Sequence, residues 1–378
     1  MSAAPTVKGW CPGARRPMMS GDGLIVRVRP FFARLEREQA LGLCAAARAF
    51  GNGFIDLTNR ANLQIRGVAE ADHERLLGAL DDLGLLDATP EREARRNIVV
   101  TPFWERGDLS HRITRELLEG LDQLPPLPAK FGLAVDAGAE PVLSETSADI
   151  RVEQARGGVM VRADGVARGR VVDPGNVTAA VAELAQWFMR HRTPEDRRMA
   201  QTAARVALPA SWQITPRLSP GPRPDVGTHP LGALIGAAFG QIEAQTLERL
   251  LSDTGTPAVR VTPWRMILLE DVQTASDPDF VCSGGSPLLT AQACAGAPFC
   301  TSATVETRAL ARRLALETDR DVHVSGCAKS CASKQAADVT LIGRDGRFDL
   351  VRSGHAWDAP QKTGLTPDEI TTELKTPA

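Results

Sequence analysis

The chain has 378 residues, enough for two or more compact units, because a single core stops growing near roughly 250–300 residues. It is 43% apolar and 24% charged, the balance of an ordinary globular protein. With 44 Lys and Arg against 46 Asp and Glu the net charge is −2. That speaks against a nucleic-acid binder working by phosphate neutralisation but leaves room for a local basic pocket.

The opening MSAAPTVKGWCPGARRP puts charge and prolines where a secretory leader needs an apolar core. No later run approaches the roughly 20 apolar residues of a membrane span. The expectation is a cytoplasmic protein with neither membrane nor nucleic acid as partner. Residues 23–29 (GLIVRVR) alternate aliphatic and basic side chains and predict a strand. A helix is expected over 35–50, stopped by Gly51-Asn52-Gly53, then a strand over 54–68 and an amphipathic helix over 71–83. That order suits a small α+β unit with helices on one face of a sheet.

A second unit opens near Arg95-Arg96-Asn97 with a strand at 98–100. It continues through a helix over 110–121, a proline turn at 124–128, strands at 149–152 and 159–162, and a helix over 176–192. The proline-rich stretch 215–230 reads as a linker. Beyond it the first pattern recurs, with a helix over 231–252 and a strand-rich segment over 258–272. Thr58-Asn59-Arg60 and Thr262-Pro263-Trp264-Arg265 fall at similar places in the two copies. The repeat implies two pseudo-two-fold related halves with a site between them.

Cysteine carries the sharpest signal. Four of the seven, Cys294, Cys300, Cys327 and Cys331, fall within 38 residues as C-x5-C and C-x3-C pairs. Two pairs of thiolates can hold a [4Fe–4S] cubane, one cysteine per iron. The small residues Ala293, Ala295, Gly296, Gly326 and Ala328 let backbone amides approach its sulfides. A four-cysteine zinc site needs the same atoms but favours shorter spacing within each pair. Cys44 and Cys282 read as packing residues, and Cys11, in a basic loop, stays open. The chain has no tyrosine, which excludes phenolate ligands.

This cysteine pattern resembles the siroheme-dependent sulfite and nitrite reductase superfamily, in which the last thiolate, here Cys331, bridges to the haem iron. Arg27, Leu57-Thr58-Asn59-Arg60 with Gln64, Arg96-Asn97 and Pro128-Ala129-Lys130-Phe131 match superfamily motifs in order. The resemblance spans nearly the whole chain, with a C-terminal portion short against the reductases. Within the superfamily the better match is the branch that oxygenates precorrin-3A in aerobic cobalamin biosynthesis. Gly9-Trp10-Cys11-Pro12-Gly13, Ser20-Gly21-Asp22-Gly23, Lys130-Phe131-Gly132, Thr262-Pro263-Trp264-Arg265 and His323-Val324-Ser325-Gly326-Cys327 carry that match together.

The resemblance implies an α+β fold: two ferredoxin-like halves (1–90 and 215–280) and two mixed α/β units (91–214 and 281–378), the last holding the cluster. It implies a mono-oxygenase acting on precorrin-3A. One oxygen atom would enter at a meso carbon, an acetate arm would close a γ-lactone, and electrons would pass through the cluster. Arg27, Arg29, Arg60, Gln64, Arg96 and Lys130 become the residues expected to grip the substrate's carboxylates, with Lys130 and Arg96 as catalytic candidates. Arginine suits that task because its planar fork binds carboxylates bidentately. The competing reading of each arginine is a solvated surface charge, and Arg66 lacks a motif match.

A mononuclear non-haem iron is a candidate oxygen site, yet the six histidines show no H-x-D/E spacing. His323 is the best placed, with a structural role the plainer reading. No dinucleotide fingerprint is present, so a ferredoxin or an NAD(P)H-dependent reductase is the expected electron donor. The alternative is a siroheme-dependent sulfite or nitrite reductase. Against it, the second lysine of that family's K-F-K element is Gly132 here, which removes a cation from a small anion. A non-enzymatic electron carrier is the third reading, and siroheme is the less favoured cofactor.

Overall fold

The computed structural model describes residues 12–375, so Trp10 and Cys11 lie outside the described residues. In the first sheet, β1 (Met18–Met19) pairs antiparallel with β2 (Leu24–Val28). Val26 and Val28 turn fully inward and Arg27 outward, as the alternation requires. After a tight bend at Phe31–Ala33 come β3 (Arg34–Glu36) and helix α1 (Arg37–Phe50), capped by Glu36 with Gln39. The expected helix thus yields its first residues to a strand.

The expected single strand over 54–68 is a hairpin, β4 (Phe54–Leu57) and β5 (Leu63–Val68), bent at Thr58, whose Oγ1 accepts from the Arg60 and Asn62 amides. Helices α2 (His73–Asp82) and α3 (Pro90–Arg95) follow.

The next sheet is mixed. Strand β6 (Ile98–Val100), helix α4 (Leu109–Glu119), strand β7 (Leu133–Asp136) and β8 (Ile150–Ala155) make its parallel part. Strands β9 (Gly158–Ala163), β10 (Arg168–Val172) and, beyond α5 (Val177–His191) and α6 (Met199–Arg205), β11 (Thr215–Pro216) extend it antiparallel. The stretch 215–230 is therefore more than a linker, since it also supplies β12 (Gly227–His229) to the following sheet.

The helix expected over 231–252 is corrected. It holds strand β13 (Gly232–Gly236), a bend at Ala238–Gly240 and β14 (Gln241–Glu243) before helix α7 (Ala244–Thr254). Every residue of β13 is buried, so its apolar run shows no period of two. The segment over 258–272 is again a hairpin, β15 (Ala258–Val261) and β16 (Met266–Glu270), its bend held by Thr262 as the first is by Thr58.

After the short helix α8 (Pro287–Thr290) comes β17 (Gln292–Ala293), then α9 (Arg308–Glu317), β18 (Val322–Ser325), β19 (Ala337–Arg344), β20 (Arg347–Gly354), β21 (Lys362–Leu365) and α10 (Pro367–Lys375). This sheet repeats the parallel, parallel, antiparallel, antiparallel order of β6 to β10.

The two antiparallel sheets exchange edges. Strand β14 completes the first sheet by pairing with β4, and β3 completes the third by pairing with β15. The chain is thus α+β, and its two copies are interlocked. Among the described residues no helix is long and apolar enough to cross a membrane.

Candidate functional site

The four cysteines sit on the loops that leave the parallel strands β17 and β18, at their carboxyl ends, the edge where open α/β sheets bind ligands. Parallel pairing of Ala293 with Val324 brings the two loops side by side. The Thr307 hydroxyl donates to the Cys294 carbonyl at 2.6 Å, and Ser325 Oγ donates to the Cys327 carbonyl at 2.7 Å. A Cβ at Gly326 would stand 2.6 Å from Ala303 Cβ, so glycine is what lets the loops meet. The Gly326 N–H donates to Cys294 Sγ at 3.1 Å, a bond that favours the thiolate form of a ligand.

All four thiols are free. The Cys331 thiol is pushed up by desolvation and by the charges of Cys294, Cys327 and Cys300, which places the four within electrostatic reach of one another. Yet among the described residues no three His, Cys, Asp or Glu side chains converge as ligands of a single ion. A zinc site needs that convergence. A cubane takes one thiolate at each of four irons and so spreads them. The donor set fits a four-iron cluster.

His73 bonds the Ala14 carbonyl, His191 the Trp187 carbonyl, and His111, His229 and His355 stack on aromatic rings. His323 is fully buried on β18, with both ring nitrogens unpartnered. Burial first, then Lys334 and Arg265, pull it down to about 4, so it is neutral. Cys44 is buried in α1, and burial pushes its thiol up to about 12, as suits a packing residue.

Cys331 is exposed toward a cleft of about 410 Å³ between the two hairpin bends. Arg27 and Gln64, cross-strand neighbours on β2 and β5, line one wall. Trp264, Arg265 and Arg223 line the other, as does Gln292, whose Oε1 accepts from Arg265. A second cavity of about 590 Å³ continues from it past Asn59, Arg223 and Trp264 toward Ser147 and Arg217. Such volumes suit a large planar ligand, whether a tetrapyrrole substrate or a siroheme.

The expected grip residues divide. Arg27 and Gln64 share the cleft with Cys331. Arg60 and Lys130 line neither cavity; Arg60 donates to the Lys130 carbonyl at 2.9 Å and to Ser147 Oγ at 3.2 Å, so it positions the Lys130 turn. Arg29 and Arg96 are held elsewhere. Arg29 bonds the Glu93 carbonyl, lies 3.9 Å from its carboxylate and is lowered to about 10 by burial. Arg96 pairs with Asp87 at 2.8 Å and stacks 4.0 Å over Phe31. Both are buried structural ion pairs.

Arg223 and Arg265 were not foreseen. The first lies in a stretch that reads as linker. The second is visible in the sequence as part of the repeated bend and of a family motif, with no binding role assigned; it bonds the Ala291 carbonyl at 2.9 Å and burial lowers it to about 10. At Gly132 an added Cβ would approach Asn97 Nδ2 to 3.0 Å, so a lysine there would have to displace Asn97.

Residues 16–83 match the family described as the nitrite/sulfite reductase ferredoxin-like half domain. The chain is 30% identical to a precorrin-3B synthase of Sinorhizobium sp., the match covering 93% of this chain and 84% of that one. It is 24% identical to the ferredoxin–nitrite reductase of Synechococcus elongatus, over 88% of this chain and 78% of the other. Among solved structures, that of Mycobacterium tuberculosis NirA protein superposes with a TM-score of 0.65 at 19% identity, covering 92% of this chain and 79% of that one, which shows a shared fold.

Proposed function

The chain belongs to the precorrin-3B synthase family, within the nitrite and sulfite reductase superfamily, and on that premise we propose that it is the cobalamin-pathway oxidoreductase that converts precorrin-3A to precorrin-3B. In that reaction one atom of dioxygen enters a meso carbon and the other leaves as water. Two electrons and two protons come from outside, and an acetate arm closes the γ-lactone. An external ferredoxin or NAD(P)H-dependent reductase is the proposed donor.

The observation that carries the reading is the cleft: cationic walls drawn from both halves, with Cys331 at its floor. Cys294, Cys300, Cys327 and Cys331 would hold a [4Fe–4S] cluster. When bound, such a cluster supplies electrons singly, which triplet dioxygen requires. The protein's own residues do the rest. Arg27 and Arg223 meet carboxylate arms, Gln64 offers a neutral hydrogen bond, and Trp264 gives the macrocycle an apolar face, while Arg265, bonded to the Ala291 carbonyl and to Gln292, holds that wall in place. The bends at Thr58 and Thr262 hold these groups in place, so that the ring is oriented and water displaced when it enters. Lys130, tied through Arg60 to Ser147 of the second cavity, is proposed to meet a substrate carboxylate.

Absorption and electron paramagnetic resonance spectra of anaerobically purified protein, with and without precorrin-3A, test this. A [4Fe–4S] signal without siroheme bands, perturbed by precorrin-3A and less so in Arg27→Ala, is expected. Siroheme bands and no response to precorrin-3A would establish a sulfite or nitrite reductase instead.

A further inference from the structure

The Ser20–Gly23 turn, which carries part of the family match, and Arg66, which carries none, are absent from the lining of the cleft. They lie instead against the first cysteine loop. Ser20 Oγ donates to the Phe299 carbonyl at 2.7 Å, and the Gly21 N–H reaches the same oxygen at 3.3 Å. Arg66, buried on β5, brings Nη2 to 2.9 Å of that carbonyl and 3.1 Å of Ser20 Oγ. Three donors from the first half of the molecule thus converge on one oxygen, that of the residue before Cys300. A Cβ at Gly21 would stand 2.5 Å from the Pro298 oxygen and 3.1 Å from the Cys300 nitrogen, so only glycine fits against the loop.

The same hairpin reaches the loop's other end. Asp56 of β4 lies 3.8 Å from Arg66 Nε and 3.2 Å from Arg308 Nη2. Arg308 opens α9 next to Thr307, whose hydroxyl holds the Cys294 carbonyl. Behind Arg66, Asp22 at 3.5 Å is fixed by Asn52 at 2.9 Å.

We propose that Arg66 and the Ser20–Asp22 turn are positioning residues for Cys300, which fix its loop from the substrate-binding sheet and set the charge beside that corner of the cluster. A guanidinium there favours the reduced, more negative cluster and so raises its potential. The proposal rests on the cluster reading above, since it assigns these residues a task toward that group.

The test uses the full-length protein, purified anaerobically, with three readouts: the spectrum of the reduced cluster, its midpoint potential, and the rate of iron loss to a chelator. Gly21→Ala and Arg66→Ala are expected to lose iron about tenfold faster, the scale of one charge-assisted hydrogen bond, and Arg66→Ala to show a lower potential. Arg66→Lys should restore the potential while iron loss stays fast, because it returns the charge without the fork. Should Arg66→Ala fail to fold, Gly21→Ala and Ser20→Ala carry the test, as neither strands a buried charge. Wild-type spectrum, potential and iron loss in these variants would overturn the proposal. Absence of any cubane signal in the wild type would instead overturn the cluster reading itself.

Discussion

Asp136 ends β7 with one carboxylate oxygen accepting from the Leu143 N–H at 2.6 Å and the other buried without a partner. Burial is the main cause that raises it from 3.8 to about 6. Because its folded value lies above its unfolded one, the folded state binds the extra proton between pH 3.8 and about 6. The cost of the bare carboxylate is therefore complete above that window and relieved as the pH falls through it. At about 1.4 kcal/mol per pH unit the rise is worth about 3 kcal/mol. Asp136→Asn keeps an acceptor for Leu143 and removes the charge, so it should stabilise the protein at pH 8 and lose its advantage near pH 4. Urea midpoints at the two values check this, and equal gains at both would refute it. The same physics separates what could be read from single residues. Cysteine spacing is local, so the proposed ligands were legible. Whether an arginine is a grip or a buried pair depends on a distant carboxylate. Arg29 with Glu93 and Arg96 with Asp87 show no such difference from Arg27 in their own segments.

At the scale of elements, the two hairpins carry reversed versions of one device. Their registers align Asp56 with Arg260 and Arg66 with Glu270: Ile55 faces Ile65 in the first copy where Val259 faces Leu269 in the second. Arg66 grips the loop after β17 through the Phe299 carbonyl. Arg260 grips the loop after β6, donating to the Pro102 carbonyl at 2.8 Å and also to that of Trp104. Each antiparallel sheet thereby steadies a loop of the other copy's mixed sheet. Glu270 is the hinge of the second device, 2.5 Å from Arg260 and bidentate to Arg34 of β3 at 2.7 and 2.8 Å. Glu270→Ala removes the carboxylate shared by Arg260, which keeps its two carbonyl acceptors, and Arg34, which keeps Glu36, so a loss of about 2 kcal/mol is expected in denaturant melts, with Glu270→Gln milder. A change below about 0.5 kcal/mol in Glu270→Ala would show the network to be solvated. The repeat is legible in the sequence from its Thr-containing bends, whereas the two strands that precede α7 are not. Strand β13 is apolar on both faces and β14 has only three residues, so neither shows a period.

For the whole molecule the edge exchange decides how it unfolds. Strand β14 closes the first sheet from the second copy, and β3 closes the third from the first, while α1 packs against α7 across the junction. Neither antiparallel sheet can lose its foreign strand without exposing an unpaired edge and the apolar residues under it, Ile242 against Ile55 in one case and Leu35 against Val259 in the other. The cleft shares this dependence, since its walls come one from each copy. Two independently stable halves would leave the cleft free to open, whereas the proposed reaction calls for walls that stay in register around the ring. The exchange predicts a single cooperative transition for the full chain. Trp187 reports on the first copy's mixed sheet and Trp264 on the second copy's bend. Single-tryptophan variants retaining one or the other should give coincident urea curves that also match circular dichroism. Curves separated by more than the error of the fit would mean the copies unfold apart. The cleft would then be a hinge between bodies rather than a fixed seat for the substrate.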